Sequence, residues 1–390
     1  MRNPEKAGLA IIHLAPPNID SGGVVDARGI LLYMSEKHHD LCKTSILVTN
    51  DKKLLRLLAE KKSINSFDKI YYIPVNEAPL YSYRLSLLTP LFMLKYLKKR
   101  GVVFLMEEYP TILIPIALLN YILRKMILVK YHSYAYLLSN DYFRIILQSI
   151  PGCIGRIFYI LLSLIVTFSL KTLRYAYLLA PNRDLVFTLN QILNGKRAFF
   201  IPPGNFMDPL PTKFLRIHSS EANKCFCTLS SKIDLLTVKL AQISANVFSI
   251  KVMLYGKLYG PQEKVVKSIM ESSSTLAYKG VFPTREELLK NISSNCERVF
   301  YVVTAYETWG YSLYELLSIF RTVIVFFPSA RMMKVITSLY EEIFNGHISI
   351  AKGNHFAIFR LEKPIDETFL EKLNKEYVEK ICHMIKLLME

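Results

Sequence analysis

The chain has 390 residues, a formal net charge of +17 and a hydrophobic content of 51%, with a mean hydropathy of +0.24. That length holds two ordinary domains with a core each, and that hydropathy calls for buried sheets, a membrane contact, or both. The charge invites a polyanion, but no zinc-finger spacing, RNP-like phrase or arginine-rich arm accompanies it, so nucleic acid is set aside as a partner.

The charge is uneven. Residues 1–205 hold 26 Lys/Arg against 13 Asp/Glu, and residues 206–390 hold 23 against 19. A basic first half fits an anionic lipid surface, and it also fits an ordinary solvated surface.

The first apolar run, Gly8–Ala15, is short. It ends at Pro16-Pro17 without a clear cleavage site, so it reads as a strand rather than a leader. Further strands are expected at Ser45–Thr49, Lys69–Ile73, Val102–Met106, Met126–Lys130, Tyr175–Ala180 and Ala198–Ile201. Helices are expected between them, at Gly29–His39, Lys52–Lys61 and Ser86–Lys99. This βαβα alternation implies a parallel sheet covered on both faces.

Two uncharged stretches, Tyr109–Leu123 and Ile157–Leu170, fall short of the roughly 18–20 residues that span a bilayer. They read as helices of the α/β domain. Arg156, Lys171 and Arg174 flank the second stretch, as a membrane-surface element requires. Pro202-Pro203-Gly204, with Pro209 and Pro211, marks a linker.

The second half repeats the pattern, with strands at Cys225–Leu229, Lys251–Tyr255, Thr275–Lys279, Arg298–Val303, Thr322–Phe327 and His347–Ile350. Its helices include Lys232–Ile243, Gln262–Ser272 and Arg285–Asn291. At the end of the chain, Phe369, Leu373, Tyr377, Ile381, Met384, Ile385 and Leu388 recur at three- and four-residue steps, which defines an amphipathic helix.

Six cysteines are scattered without zinc-ligand spacing and read as small apolar residues in a reducing compartment. His38-His39-Asp40 reads as solvated surface. Glu107-Glu108 ends a strand; the pair could meet a substrate there, but a solvated loop is the preferred reading.

One phrase stands out. Glu307 and Glu315 lie with seven residues between them in Thr304-Ala-Tyr-Glu-Thr-Trp-Gly-Tyr-Ser-Leu-Tyr-Glu-Leu316, after the apolar run Arg298–Val303. Gly310 permits a tight turn, and Ser312 opens a helix. Ligands of open α/β sheets bind at such strand ends, where two carboxylates can grip sugar or ribose hydroxyls. Ser312-x-x-Glu315 is equally a capping box that serves only the backbone.

The phrase resembles the E-x7-E signature of retaining glycosyltransferases of family 4. Other segments agree in order. His13-Leu-Ala-Pro-Pro-Asn-Ile-Asp-Ser-Gly-Gly23 resembles the family's first strand and glycine loop. Met126-Ile-Leu-Val-Lys-Tyr-His132 resembles its strand ending in a functional His, and Phe199-Phe-Ile-Pro-Pro-Gly204 resembles the phrase that closes its first domain.

The resemblance implies a GT-B fold: two Rossmann-like doubly wound domains facing a cleft, here 1–205 and 206–364. A C-terminal helix, 365–390, would cross back to the first domain. It implies transfer of a sugar from a nucleotide-diphosphate donor without a metal or other cofactor. The acceptor would be a glycan, a lipid-linked sugar or a small molecule. The expected location is cytoplasmic, and the basic flanks of Ile157–Leu170, not the resemblance, are what suggest a peripheral contact with the cytoplasmic membrane face.

In that pattern Glu307 and His132 are the catalytic candidates, both placed near the donor sugar. Glu315 would grip the ribose. Gly22 and Gly23 would let backbone N–H groups approach a phosphate or acceptor. Gly310, Tyr311 and Ser312 would bring backbone and helix dipole to the phosphates, and Lys232 and Lys257 positive charge. Val281 would hold the base through its backbone.

The sequence departs from the pattern in two places. Thr228-Leu-Ser-Ser-Lys232 lacks the family's Gly-Arg pair, and Phe320–Ser329 lacks its glycine-rich loop. These departures favour a first rival, a non-catalytic GT-B scaffold subunit. A second rival is a nucleotide-sugar epimerase of similar architecture, which would need further cleft acids and a His.

Overall fold

The computed structural model of the protein describes residues 7–15, 22–73, 97–108, 113, 116–117, 120, 126–132, 134, 136–138, 141–150, 152–206, 225–229, 233, 235–256, 258, 263–282, 285–296, 298–303 and 311–390. Two compact units divide the chain. The first holds Met1–Asn140, Phe158–Met207 and Thr368–Glu390, and the second holds Asp141–Ile157 and Asp208–Glu367.

Through residue 206 the described elements are β1 (Ala7–His13), α1 (Gly22–Lys37), α2 (His39–Lys43), β2 (Ser45–Thr49), α3 (Lys52–Glu60), β3 (Lys69–Tyr72), β4 (Leu97–Leu105), β5 (Met126–Lys130), α4 (Asp141–Ser149), α5 (Cys153–Thr172), β6 (Ala176–Ala180), α6 (Arg183–Leu193) and β7 (Ala198–Phe200). The strands form one sheet in the order β3-β2-β1-β4-β5-β6-β7. Each neighbouring pair is parallel.

The sequence dictates this arrangement. Runs such as Leu9-Ala-Ile-Ile12 and Ile46-Leu-Val48 are buried throughout. A strand apolar on both faces must be covered on both, and parallel connections through helices supply the cover. The helices are punctuated locally. Asp51 caps α3 by accepting from the Lys53 and Leu54 amides, and Asn182 caps α6 by accepting from the Leu185 amide.

Between β4 and β5, Leu113, Ile116, Ala117 and Asn120 are helical and buried. Asn120 Oδ1 accepts from the Arg174 amide at 2.9 Å. The expected helix Ser86–Lys99 gives way at its end: Leu97–Lys99 belong to β4. Lysines suit either state, and Ala7 pairing beside Leu97 settles it for strand.

The last helix, α12 (Glu367–Met389), is part of the first unit's core. Tyr377, Val378, Ile381, Cys382 and Ile385 pack with Leu31 and Met34 of α1 and with Leu9, Leu47 and Phe104 of the sheet. Asn374 clamps the backbone at Asn205: it accepts from the Asn205 amide at 2.6 Å and donates to the Asn205 carbonyl at 2.8 Å. Gly204 permits that approach, since a Cβ there would stand 2.7 Å from Tyr377 Cδ1.

The second unit contains β8 (Cys225–Leu229), α7 (Leu235–Phe248), β9 (Lys251–Tyr255), α8 (Glu263–Ser272), β10 (Leu276–Gly280), α9 (Arg285–Asn295), β11 (Arg298–Val302), α10 (Tyr311–Ile319), β12 (Thr322–Phe326), α11 (Ala330–Ile343), β13 (Ile348–Lys352) and β14 (Phe356–Leu361). Its sheet runs β10-β9-β8-β11-β12-β14-β13. The first five strands are parallel, and a β13–β14 hairpin adds antiparallel to β12.

β14 has no counterpart among the expected strands. It alternates, with Ala357 and Phe359 buried, which is the signature of a strand whose second face is open. The expectation that every cysteine is reduced fails at Cys296, which is disulfide-bonded. Cys42 and Cys382 are buried free thiols, pushed up to about 12 by burial.

Candidate active site

In the first unit, the carboxyl ends of the parallel strands carry a dense set of buried ionisable groups. His13 ends β1 and is fully buried. Its Nδ1 donates to Glu107 Oε1 at 2.6 Å, just beyond β4. Its Nε2 donates to Asp51 Oδ2 at 3.0 Å, just beyond β2. Arg28 of α1 completes the set, with Nη2 donating to Asp51 Oδ1 at 3.1 Å.

Two cations and two carboxylates thus neutralise one another. Burial alone would lower the His13 pKa, but the Glu107 charge, the hydrogen bonds to Asp51 and Glu107, and the Asp51 charge outweigh it and raise it to about 9. Burial would raise the Asp51 carboxyl, but its hydrogen bonds and charge attraction to His13 and Arg28 hold it well below the usual range. Glu107 is 4% exposed, which corrects the reading of that position as a solvated loop. A carboxylate bonded to a buried imidazolium is part of the scaffold.

The amide of Asn50 adds a second clamp. Its Oδ1 accepts from the Ala15 amide at 2.7 Å and its Nδ2 donates to the Ala15 carbonyl at 2.8 Å. These bonds fix the path of the chain as it leaves β1.

β5 ends in the next group. Lys130 is buried and its ammonium pairs with Asp26 of α1; burial draws it well below the lysine range. Asp26 also accepts from the Tyr377 hydroxyl at 3.0 Å, so the same carboxylate ties α1, β5 and α12 together.

Two residues on, His132 Nε2 donates to the Met106 carbonyl at 3.1 Å. A carbonyl only accepts, so the proton is on Nε2 and the Nδ1 lone pair is an acceptor. Burial and the nearby Lys130 charge pull its pKa well below 6.5, against the opposing Met106 carbonyl. His132 is therefore a neutral imidazole at physiological pH.

Helix α1 opens beside it. Gly22 is its first residue, and a Cβ on Gly23 would stand 3.9 Å from His132 Nε2. No acidic residue occupies the first turn, so the positive dipole end of α1 favours an anion or hydroxyl there. The structure thus brings together Gly22, Gly23 and His132.

In the second unit the chain just beyond β9, β10, β11 and β12 is described. The Gly256 amide donates to the Gly280 carbonyl at 3.0 Å, and the Tyr278 hydroxyl donates to the Gly256 carbonyl at 2.9 Å. Gly280 has φ of +81°, a conformation open mainly to glycine. Val281 follows and is 65% exposed, so its backbone stands at the rim of the strand end.

Beyond β11 the chain enters α10. Tyr311 is its first residue and Ser312 its second. Glu315 is 8% exposed among buried Leu313, Tyr314, Leu316 and Leu317. A carboxylate so placed is costly without polar partners. Glu307, Gly310, Lys232 and Lys257 lie outside the described residues. Among the described residues no group of three His, Cys, Asp or Glu is arranged to hold a metal ion.

His13, Arg28, Asp51, Asp26 and Lys130 were not among the sequence candidates, and Glu107 was read there as a solvated loop. Their signal was an ionisable residue inside an apolar run, as in Val24-Val-Asp26 and Ile127-Leu-Val-Lys130. Such residues seldom sit in a core unless paired.

No family model matches the sequence, and no curated protein matches it. Among solved structures, the chain is similar to S. aureus TarM in complex with fondaparinux, α-GlcNAc-glycerol and UDP. The TM-score is 0.51 at 10% identity, covering 99% of this chain and 100% of that one. It is also similar to Anabaena HepE in complex with UDP, with TM-score 0.49 and 12% identity over 80% and 78% of the two chains. A glycosyltransferase from Rickettsia africae gives TM-score 0.48 and 14% identity over 98% and 96%. At such identity a likeness speaks for architecture alone, and the TarM match spans both sheets: the chain has the GT-B fold.

Proposed function

We propose that this chain is a retaining glycosyltransferase that moves a sugar from a nucleotide-diphosphate donor to a hydroxyl acceptor. The observation that carries the reading is the GT-B fold matched across nearly all of TarM, whose structure holds UDP and α-GlcNAc-glycerol. In the reaction the bond from the sugar's C1 to the diphosphate breaks. The acceptor oxygen bonds to C1 on the same face, and its proton leaves with the diphosphate.

Each candidate has a task in that reaction. Glu315 accepts hydrogen bonds from the ribose hydroxyls, and the backbone at Val281 meets the base. Tyr311, Ser312 and Gly310 bring the start of α10 to the phosphates, where Lys232 and Lys257 add positive charge. Glu307 orients the sugar and stabilises positive charge developing at C1. His132, held neutral with Nδ1 as acceptor, positions a sugar hydroxyl beside the α1 N-terminus at Gly22 and Gly23.

The test is a donor panel with purified protein, reading release of UDP or GDP. Release from one nucleotide sugar is expected, falling at least 100-fold in Glu307→Ala. If no donor is turned over while nucleotide still binds, the scaffold reading, favoured by the missing Gly-Arg pair, takes its place. If a donor sugar is instead epimerised, the epimerase reading does.

A further inference from the structure

Helix α5 turns an apolar face to solvent. Phe158, Leu161, Leu164, Ile165 and Phe168 are between 47% and 68% exposed. Their three- and four-residue spacing places them on one stripe. Ile154 and Ile157 continue it toward the helix start, at 86% and 52% exposed. Soluble monomers rarely leave a contiguous apolar surface of this extent uncovered.

The opposite stripe is committed to the first unit. Tyr159, Ser163, Val166 and Leu170 are buried. The Tyr136 amide donates to the Tyr159 hydroxyl at 3.3 Å, and the Thr167 hydroxyl to the Tyr136 carbonyl at 3.4 Å. By length and composition α5 could cross a bilayer, with 20 residues of which Arg156 and Lys171 carry charge. Its packed side fixes it to the fold, so it meets any lipid along one face.

The charge pattern says what covers that face. Between Asp141 and Asp184 the sequence contains no acidic residue and five basic ones: Arg144, Arg156, Lys171, Arg174 and Arg183. Arg156 and Lys171 are exposed near the two ends of α5 itself. A second copy of the chain would bring these cations against their own counterparts, which disfavours self-association through this face. Anionic headgroups complement them.

We propose that α5 is a docking element that lies in the interface of an anionic lipid bilayer. Phe158, Leu161, Ile165 and Phe168 enter the acyl region, while Arg156 and Lys171 meet headgroup phosphates. This inference does not rest on the catalytic reading; it stands on exposure, packing and charge alone.

The test is co-sedimentation of the full chain with phosphatidylcholine vesicles, with and without phosphatidylglycerol. Binding is expected to require phosphatidylglycerol, to weaken with salt, and to fall at least tenfold in Phe158→Ser/Phe168→Ser. Arg156→Gln/Lys171→Gln is expected to reduce the preference for the anionic lipid, which keeps the question decidable should the Ser variant misfold. Absence of binding to the anionic vesicles overturns the proposal, as does equal binding by a folded Ser variant. A dimer in vesicle-free solution that the Ser pair dissolves also overturns it, by assigning the face to a second copy.

Discussion

Replacing His13 with alanine is expected to destabilise the first unit by roughly 3–5 kcal/mol, the usual cost of removing one partner from a buried ion pair. The imidazolium stands between Glu107 and Asp51 with no access to solvent. Without it, the four-group set keeps two carboxylates and only Arg28 to balance them. Adding Glu107→Gln to His13→Ala should recover part of the loss, because one uncompensated charge goes with it.

The effect of His13→Ala should also depend on pH in a defined direction. The folded pKa of His13 is about 9, above the ordinary 6.5. Its stabilisation is therefore fully present below pH 6.5 and is lost as pH rises through 9, an amount of about 3 kcal/mol. His132 acts oppositely: its folded pKa is depressed, so it disfavours the fold only below pH 6.5. Lys130 is also depressed and favours the fold as pH rises toward 10.5. Taking the difference between wild type and His13→Ala cancels both. That difference, from urea midpoints, should shrink between pH 6.5 and 9; a constant or growing difference would show that His13 is not held as an imidazolium.

Glu315→Ala is expected to weaken binding of the donor's nucleotide by about 100-fold, measured by calorimetry. Two ribose hydroxyls on one carboxylate make two charge-assisted hydrogen bonds, each worth roughly 1.5–3 kcal/mol net of water. The lower figure for both gives about 3 kcal/mol, or about 100-fold. Glu315→Gln, which keeps the shape of a buried side chain, should fall between the two. Unchanged nucleotide affinity in a folded Glu315→Ala protein would reduce Glu315 to a structural residue of α10.

Much of the architecture was legible in the chain. Met126–Lys130 and Ser45–Thr49 are short apolar runs between helical segments, and a strand without a polar face can only be interior. The rim of the second sheet was harder. Phe356–Leu361 alternates instead of running apolar, and its hairpin partner Ile348–Lys352 lies a few residues away rather than one helix away.

The candidate site was legible in part. His132 and Gly23 come together because one lies just beyond β5 and the other opens the helix that follows β1. Glu107 could not be read correctly in isolation. Its partner His13 is 94 residues away, and only the closed sheet makes one the counter-charge of the other. The same holds for Lys130 and Asp26, which are 104 residues apart. The sequence shows that a charge is buried, and the topology chooses its mate.

The most direct test of the donor site is a crystal structure of the chain with UDP or GDP, whichever binds. The expected result is a nucleotide whose ribose hydroxyls lie within hydrogen-bond distance of Glu315 Oε1 and Oε2, with its base against the backbone near Val281. A nucleotide bound elsewhere, or none at saturating concentration, would contradict the assignment of α10 as the donor-binding element.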